Sequence, residues 1–274
     1  MRLSGLIGAA LLAMLEGALL VLPRANALER LAGACSPAWG ALLPGSILLG
    51  TFGVRALQPM ATGIVVLASV ATPVLFGAAA LIVVRGPRLA ILPLALALAL
   101  IAEFIHGWTG NLFASVVTGF GSLTLGVAIV RLIPRRYMLI SILCMCAVDV
   151  ALLAVGAGEP AAAQISHAAA SLHRPTFDDA TIGPVTTDYP DLVLVGVLAG
   201  LITTRTVRWR AAALLTLLTA GYGVLLPLVG TLPATVPIAV TFVMVSTPRS
   251  WPPRLLPTSA TTRFPDMNQA LGTS

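Results

Sequence analysis

Lysine is absent from this chain, and charge of either sign is scarce: Asp, Glu, Lys and Arg together make 9% of the 274 residues. A soluble domain carries roughly a quarter charged residues, so an ordinary soluble globule is excluded. Hydrophobic residues make 58% of the chain, and the mean hydropathy is +0.98. Both point to a polytopic membrane protein. The net charge of +6 comes from arginine alone. Those arginines stand mostly between apolar runs, so they carry no nucleic-acid signal, and the expected surroundings are a lipid bilayer. Cysteine is nearly missing too: Cys35, Cys144 and Cys146 are too few for a disulfide framework. The Cys144-x-Cys146 pair lies in an apolar run without partner ligands. No metal is expected there, and the cysteines read as small buried packing residues. A soluble Ser-His-Asp or metal enzyme lacks its parts, since His167 and His173 sit in a loop with no convincing ligand set. No cofactor is expected.

Apolar runs long enough to cross a bilayer fall at 3–22, 39–54, 60–84, 89–104, 112–132, 137–156, 191–204, 211–229 and 232–247. The expectation is an all-α polytopic membrane protein with about nine transmembrane helices, although the second, fourth, seventh and ninth runs are short. No internal repeat stands out, and only "LPLALALAL" (92–100) is low in complexity. Three parts follow: a five-helix part over 1–136, a part over 137–247 that includes a polar loop at 157–190, and a tail over 248–274. The tail has the Pro/Ser/Thr-rich composition of a disordered segment. The first run admits two readings. Arg2, an apolar core and "ANA" at 25–27 look like a cleavable signal peptide. The run is long for one and Glu16 interrupts it, which favours a retained helix.

Arginine asymmetry gives an orientation. Arg24, Arg30, Arg85, Arg88, Arg131, Arg135, Arg136, Arg205, Arg208 and Arg210 fall in odd-numbered loops, and Arg249, Arg254 and Arg263 in the tail; only Arg2, Arg55 and Arg174 fall on the other side. With nine spans the amino terminus is outside, the tail is cytoplasmic and the 157–190 loop faces out. Abundant alanine, leucine and arginine without lysine is the composition of a GC-rich bacterial genome, hence a bacterial plasma membrane.

An ionisable residue inside a spanning helix costs several kcal/mol and is a functional candidate by default. Asp149, in "CMCAVDVALLAV", is the strongest case. Alone it reads equally well as a structural acid bonded to a neighbouring helix. Asp191 opens the next apolar run behind Pro190, and alone it reads best as a helix N-cap. Together the two change meaning. Spans six and seven, joined by one loop, can pack as antiparallel neighbours, with Asp149 near the loop end of one and Asp191 near the loop end of the other. Two carboxylates at close range share one proton. Such a dyad can activate water with one oxygen and protonate a leaving amine with the other. In "GTLPATVPIAVTF" (230–242) prolines before and within a short last span remove backbone donors. Freed backbone beside a cavity can hold an extended peptide, although a simple interfacial turn is as good a reading.

"AVDVALLAVGAGEP", "DLVLVGVLAG" and "LPATVPIAV" follow one another in the order and spacing of the presenilin and signal peptide peptidase family, which this chain resembles over 137–247. The resemblance implies a nine-span intramembrane aspartyl protease. Its catalytic acids fall on Asp149 and Asp191, and its Pro-Ala-Leu motif, a substrate-binding element, on Pro233, Ala234 and Thr235. Four positions depart from the family pattern: Val148 stands for a tyrosine, Asp188 and Pro190 for the two glycines before the second acid, and Thr235 for a leucine. The implied substrate is a transmembrane-helix protein, unwound locally, with its amino terminus in the cytoplasm.

Other readings stay open. Prepilin peptidases also use two membrane aspartates, but their Gly-x-Gly-Asp-Lys sequence and cytoplasmic active side are missing here. A proton- or cation-coupled transporter would use Asp149 and Asp191 with Glu16, Glu103 and His106 as a relay. An inactive presenilin-like scaffold is compatible with the altered glycines. Asp178 and Asp179 read most simply as a solvated turn.

Overall fold

The computed structural model describes residues 3–24, 28, 35–84, 91–105, 107–172, 175, 177–183, 185–229 and 233–245. The 248–274 tail, the "ANA" sequence, His106 and His173 lie outside the described residues.

The fold is mostly helical. Each of the nine apolar runs forms a helix: α1 (Leu3–Val21), α2 (Leu42–Ala56), α3 (Gln58–Ala78), α4 (Ile91–Phe104), α5 (Trp108–Leu132), α6 (Arg135–Ala154), α8 (Tyr189–Leu201), α9 (Arg205–Val229) and α10 (Thr235–Val245). A 3-10 turn, Pro37–Ala41, leads into α2, and a π-helical turn, Ala79–Val83, extends α3. Four helical stretches are long and apolar enough to cross a membrane among the described residues: Pro59–Val83, Trp108–Leu132, Tyr137–Ala154 and Arg205–Leu226. That is compatible with an integral membrane protein.

The all-α expectation needs correction. The polar 157–190 segment is no open loop: it forms α7 (Gly158–Ser171) and an antiparallel hairpin of β1 (Asp179–Ile182) and β2 (Val185–Asp188). Gly183 makes the turn with φ 65°, a conformation that glycine adopts freely. One hairpin face is apolar and buried through Ala180 and Ile182, and it packs on α5 and α1. Three hydroxyls of the surrounding helices tie the segment down. Thr72 and Thr118 donate to the Phe177 carbonyl at 3.5 and 3.4 Å, and Ser115 to that of Thr181 at 3.2 Å.

At the centre lies α8, buried along its whole run from Asp191 to Gly200. A helix that is apolar on every side belongs in a protein interior. Its main partner is α5, and the two backbones touch where glycines allow it. A Cβ on Gly196 would stand 2.9 Å from Leu123 Cα, and one on Gly126 would strike the α8 backbone at Val193 and Val197. Small residues at such a crossing are what let two apolar helices approach closely. Around this pair stand α1, packed along α9, and α10, which touches α6, α8 and α9. The expected antiparallel packing of α6 against α8 is not formed: α10 contacts both, and the two hardly meet along their lengths. One further expectation fails: Cys144 is exposed, with Cys35 and Cys146 only half-buried, so they are not core-packing residues. Pro190 sits in the first turn of α8, where its missing N–H has no helical partner to lose.

Candidate functional site

The site is built at the start of α8. Asp188 closes β2 and is also the N-cap of α8, with extended dihedrals (φ −71°, ψ 152°), yet its carboxylate makes no capping bond. Asp191, three residues on, accepts a hydrogen bond from the Asp188 backbone N–H instead. This is the returning half of a capping box, in which an acid in the first turn reaches back to the cap. The hairpin leaves that N–H available. Tyr189 N–H donates to the Asp178 carbonyl at 3.0 Å, which makes 178/189 a bonded pair and Asp179/Asp188 the non-bonded pair that follows it. The reading of Asp191 alone as an N-cap does not hold: Asp188 has that position, and Asp191 lies inside the helix.

Asp149 reaches the same region from the last turns of α6. It is half-buried, and its Oδ2 accepts a hydrogen bond of 2.7 Å from Thr235 Oγ1. Thr235 is fully buried at the start of α10. Pro233 and Ala234, both half-buried, form the turn that delivers it, closed by Val236 N–H donating to the Pro233 carbonyl at 3.2 Å. The Pro233-Ala234-Thr235 segment thus turns its hydroxyl toward an acid. Although α6 and α8 are not packed together, Asp191 lies in electrostatic range of Asp188, Asp149 and Glu16, in that order of effect.

Two acids that the sequence reading left aside belong here. Burial, then the negative charges of Asp149 and Asp178, push Asp188 up to about 6. Its side chain has an exposed flank, so solvent screens part of the burial penalty; the neighbouring charges are the share that a substitution can remove. Asp178 is raised as well, chiefly by burial, and its Oδ1 has no hydrogen-bond partner. The solvated-turn reading of Asp178 and Asp179 therefore fails, since both are half-buried and Asp179 is a strand residue. The signal for Asp188 was present in "TDYPD": two acids three apart at a helix start are a capping-box spacing.

Glu16, 3% exposed on α1, accepts a hydrogen bond of 2.6 Å from Thr219 of α9. His167 is exposed on α7 and Glu103 half-buried at the end of α4. No group of three or more His, Cys, Asp or Glu among the described residues is arranged to hold a metal ion. No family model matches this chain, and no curated protein or solved structure matches it either.

Proposed function

We propose that this chain is a nine-span intramembrane aspartyl protease of the presenilin and signal peptide peptidase kind, with Asp149 and Asp191 as its catalytic dyad. One observation carries the reading: acids from α6 and α8 lie in electrostatic range of each other, with the Asp149 carboxylate oriented by Thr235 from α10. Three segments distant in sequence supply the parts, and they are the three segments on which the resemblance rests. In this reading the ionised carboxylate takes a proton from water as the water oxygen bonds to the scissile carbonyl carbon. The protonated partner gives its proton to the amide nitrogen as the carbon–nitrogen bond breaks. The hairpin ends at the acids, so a substrate segment extended beside it would bring its peptide bonds to the dyad. The substrate is a transmembrane-helix protein. The amino terminus lies outside and the tail in the cytoplasm of a bacterial plasma membrane.

Asp149→Asn and Asp191→Asn should each abolish cleavage of a transmembrane reporter by the purified protein, with thermal unfolding unchanged. Cleavage that persists in either variant rejects the dyad.

Glu16 favours a second reading, a proton- or cation-coupled transporter, because it is a further acid, itself buried, in range of Asp191. Reconstituted protein would then carry ions down a gradient, and Glu16→Gln would stop the flux. Liposomes silent under proton and sodium gradients exclude it.

A further inference from the structure

Three arginines open α9 in "RTVRWR" (205–210), and they divide by burial. Arg208 turns inward: it is 1% exposed and donates to the carbonyls of Ile202, Ala199 and Pro23. Arg205 and Arg210 are exposed, as are Thr203, Thr204 and Thr206 beside them. The sequence holds no acid between Asp191 and Asp266, so neither exposed arginine has a carboxylate three or four residues away on its own helix. The rest of this outward face changes in a fixed order. Arg205, Trp209, Ala213 and Leu217 follow at four-residue steps, which makes them one ridge of the helix, and all four are exposed. Trp209 is 56% and Leu217 70% exposed, whereas Ala211, Ala212 and Leu215 on the other face are buried where α9 packs on α1. Arg205–Leu226 is also one of the stretches long and apolar enough to cross a membrane.

We infer that the outward face of α9 binds an anionic glycerophospholipid, with its phosphate at Arg205 and Arg210 and an acyl chain along Trp209, Ala213 and Leu217. Cationic side chains, then an indole, then aliphatic surface is the order in which a helix meets headgroup, interface and hydrocarbon. The lengths agree: the helix rises about 12 Å from Trp209 to Leu217, inside one leaflet's hydrocarbon of about 15 Å. Charge selects the lipid. Two guanidiniums with no acid on their helix complement a headgroup of net negative charge, and a phosphate already balanced by an amine gains less from them. A second copy of the chain fits the face poorly. In a twofold dimer within one membrane the same patch meets itself, which would set these arginines against each other. The site needs only α9 in a bilayer, so it stands apart from the proposed dyad.

The test uses full-length protein in phosphatidylcholine nanodiscs doped with a minor fraction of brominated lipid, either phosphatidylglycerol or phosphatidylcholine. Bromine quenches indole fluorescence on contact, and wild type minus Trp209→Phe isolates Trp209 from the other tryptophans. At equal fractions, brominated phosphatidylglycerol should quench that signal about fivefold more strongly than brominated phosphatidylcholine. With Arg205→Gln and Arg210→Gln combined, the two lipids should quench alike, and with Arg205→Lys and Arg210→Lys combined most of the preference should return. Equal quenching by both lipids in the wild type overturns the inference, and so does a preference undiminished in the double glutamine variant. Relief of quenching by inorganic phosphate at constant ionic strength would make the ligand the free anion and overturn it as well. A Trp209 signal that neither lipid quenches also rejects it, and two copies per particle would then assign the face to a subunit contact.

Discussion

At Thr235 one hydroxyl decides how Asp149 is presented. A hydrogen bond from a buried neutral donor to a carboxylate is worth about 1.5–3 kcal/mol, and it leaves one Asp149 oxygen in a fixed direction. Thr235→Val keeps the shape and removes the donor. If Asp149 works on a substrate, kcat/KM for a transmembrane reporter should fall about tenfold or more, while Thr235→Ser should stay near wild type. Equal rates for valine and serine would remove the hydroxyl from the mechanism. The position was legible in the sequence, through its place after Pro233 and Ala234, but the role was not. The bond joins residues 86 apart in the chain, and no local pattern encodes such a partner. Asp191 shows the opposite case. Its place at the head of an apolar run one span after Asp149 marked it as a candidate, and only the hairpin register explains why its first-turn position also holds the Asp188 N–H.

Among elements, α8 is the one on which the proposed site depends, and a single buried cation closes its far end. Arg208 of α9 is 1% exposed. It donates to the carbonyls of Ile202 at 2.7 Å, of Ala199 at 3.3 Å, and of Pro23 beyond α1. The last carbonyls of a helix have no partners within it, and a guanidinium near a helix C-terminus also complements its dipole. Arg208→Met should therefore cost about 3 kcal/mol, read as a lower unfolding midpoint in detergent. Arg208→Lys should recover little, since one ammonium cannot reproduce a planar fork that reaches three acceptors. A midpoint unchanged in both variants would show that α8 needs no such clip. Apolar runs gave away nine of the ten α-helices among the described residues, all but α7, because burial or lipid contact demands continuous hydrophobicity whichever way a helix packs. The same uniformity hid the neighbours: α10 contacts α6 and α8 where direct pairing was expected, since adjacency in sequence is a weak guide once every helix face is oily. Small hydroxyl residues in α3 and α5 were the trace of the hairpin they hold, but a four-residue strand carries too few positions to be read by alternation.

Viewed as a whole, the molecule has a basic end and an acidic end. The ends of α1, α3 and α5 and the start of α9 are tied together: Pro23 bridges Val84, Arg24 N–H donates to the Val83 carbonyl at 2.8 Å, Cys35 N–H to the Leu132 carbonyl at 3.1 Å, and Arg208 to that of Pro23. This end carries Arg24, Arg131, Arg205 and Arg210. At the other end Gly8, near the start of α1, lies against Ile182 of the hairpin, and Asp188 and Asp191 follow directly. Positive charge resists translocation, so short arginine-rich connections stay on the cytoplasmic side. The proposed orientation then places the acids toward the outer face. A fluorescent protein fused after Ser274 should fold and fluoresce in cells, and alkaline phosphatase fused there should be inactive. Both reporters should reverse when fused within 173–176, between α7 and the hairpin. The opposite pattern would turn the acids toward the cytoplasm, and acid-dependent changes in the site would then follow internal rather than external pH.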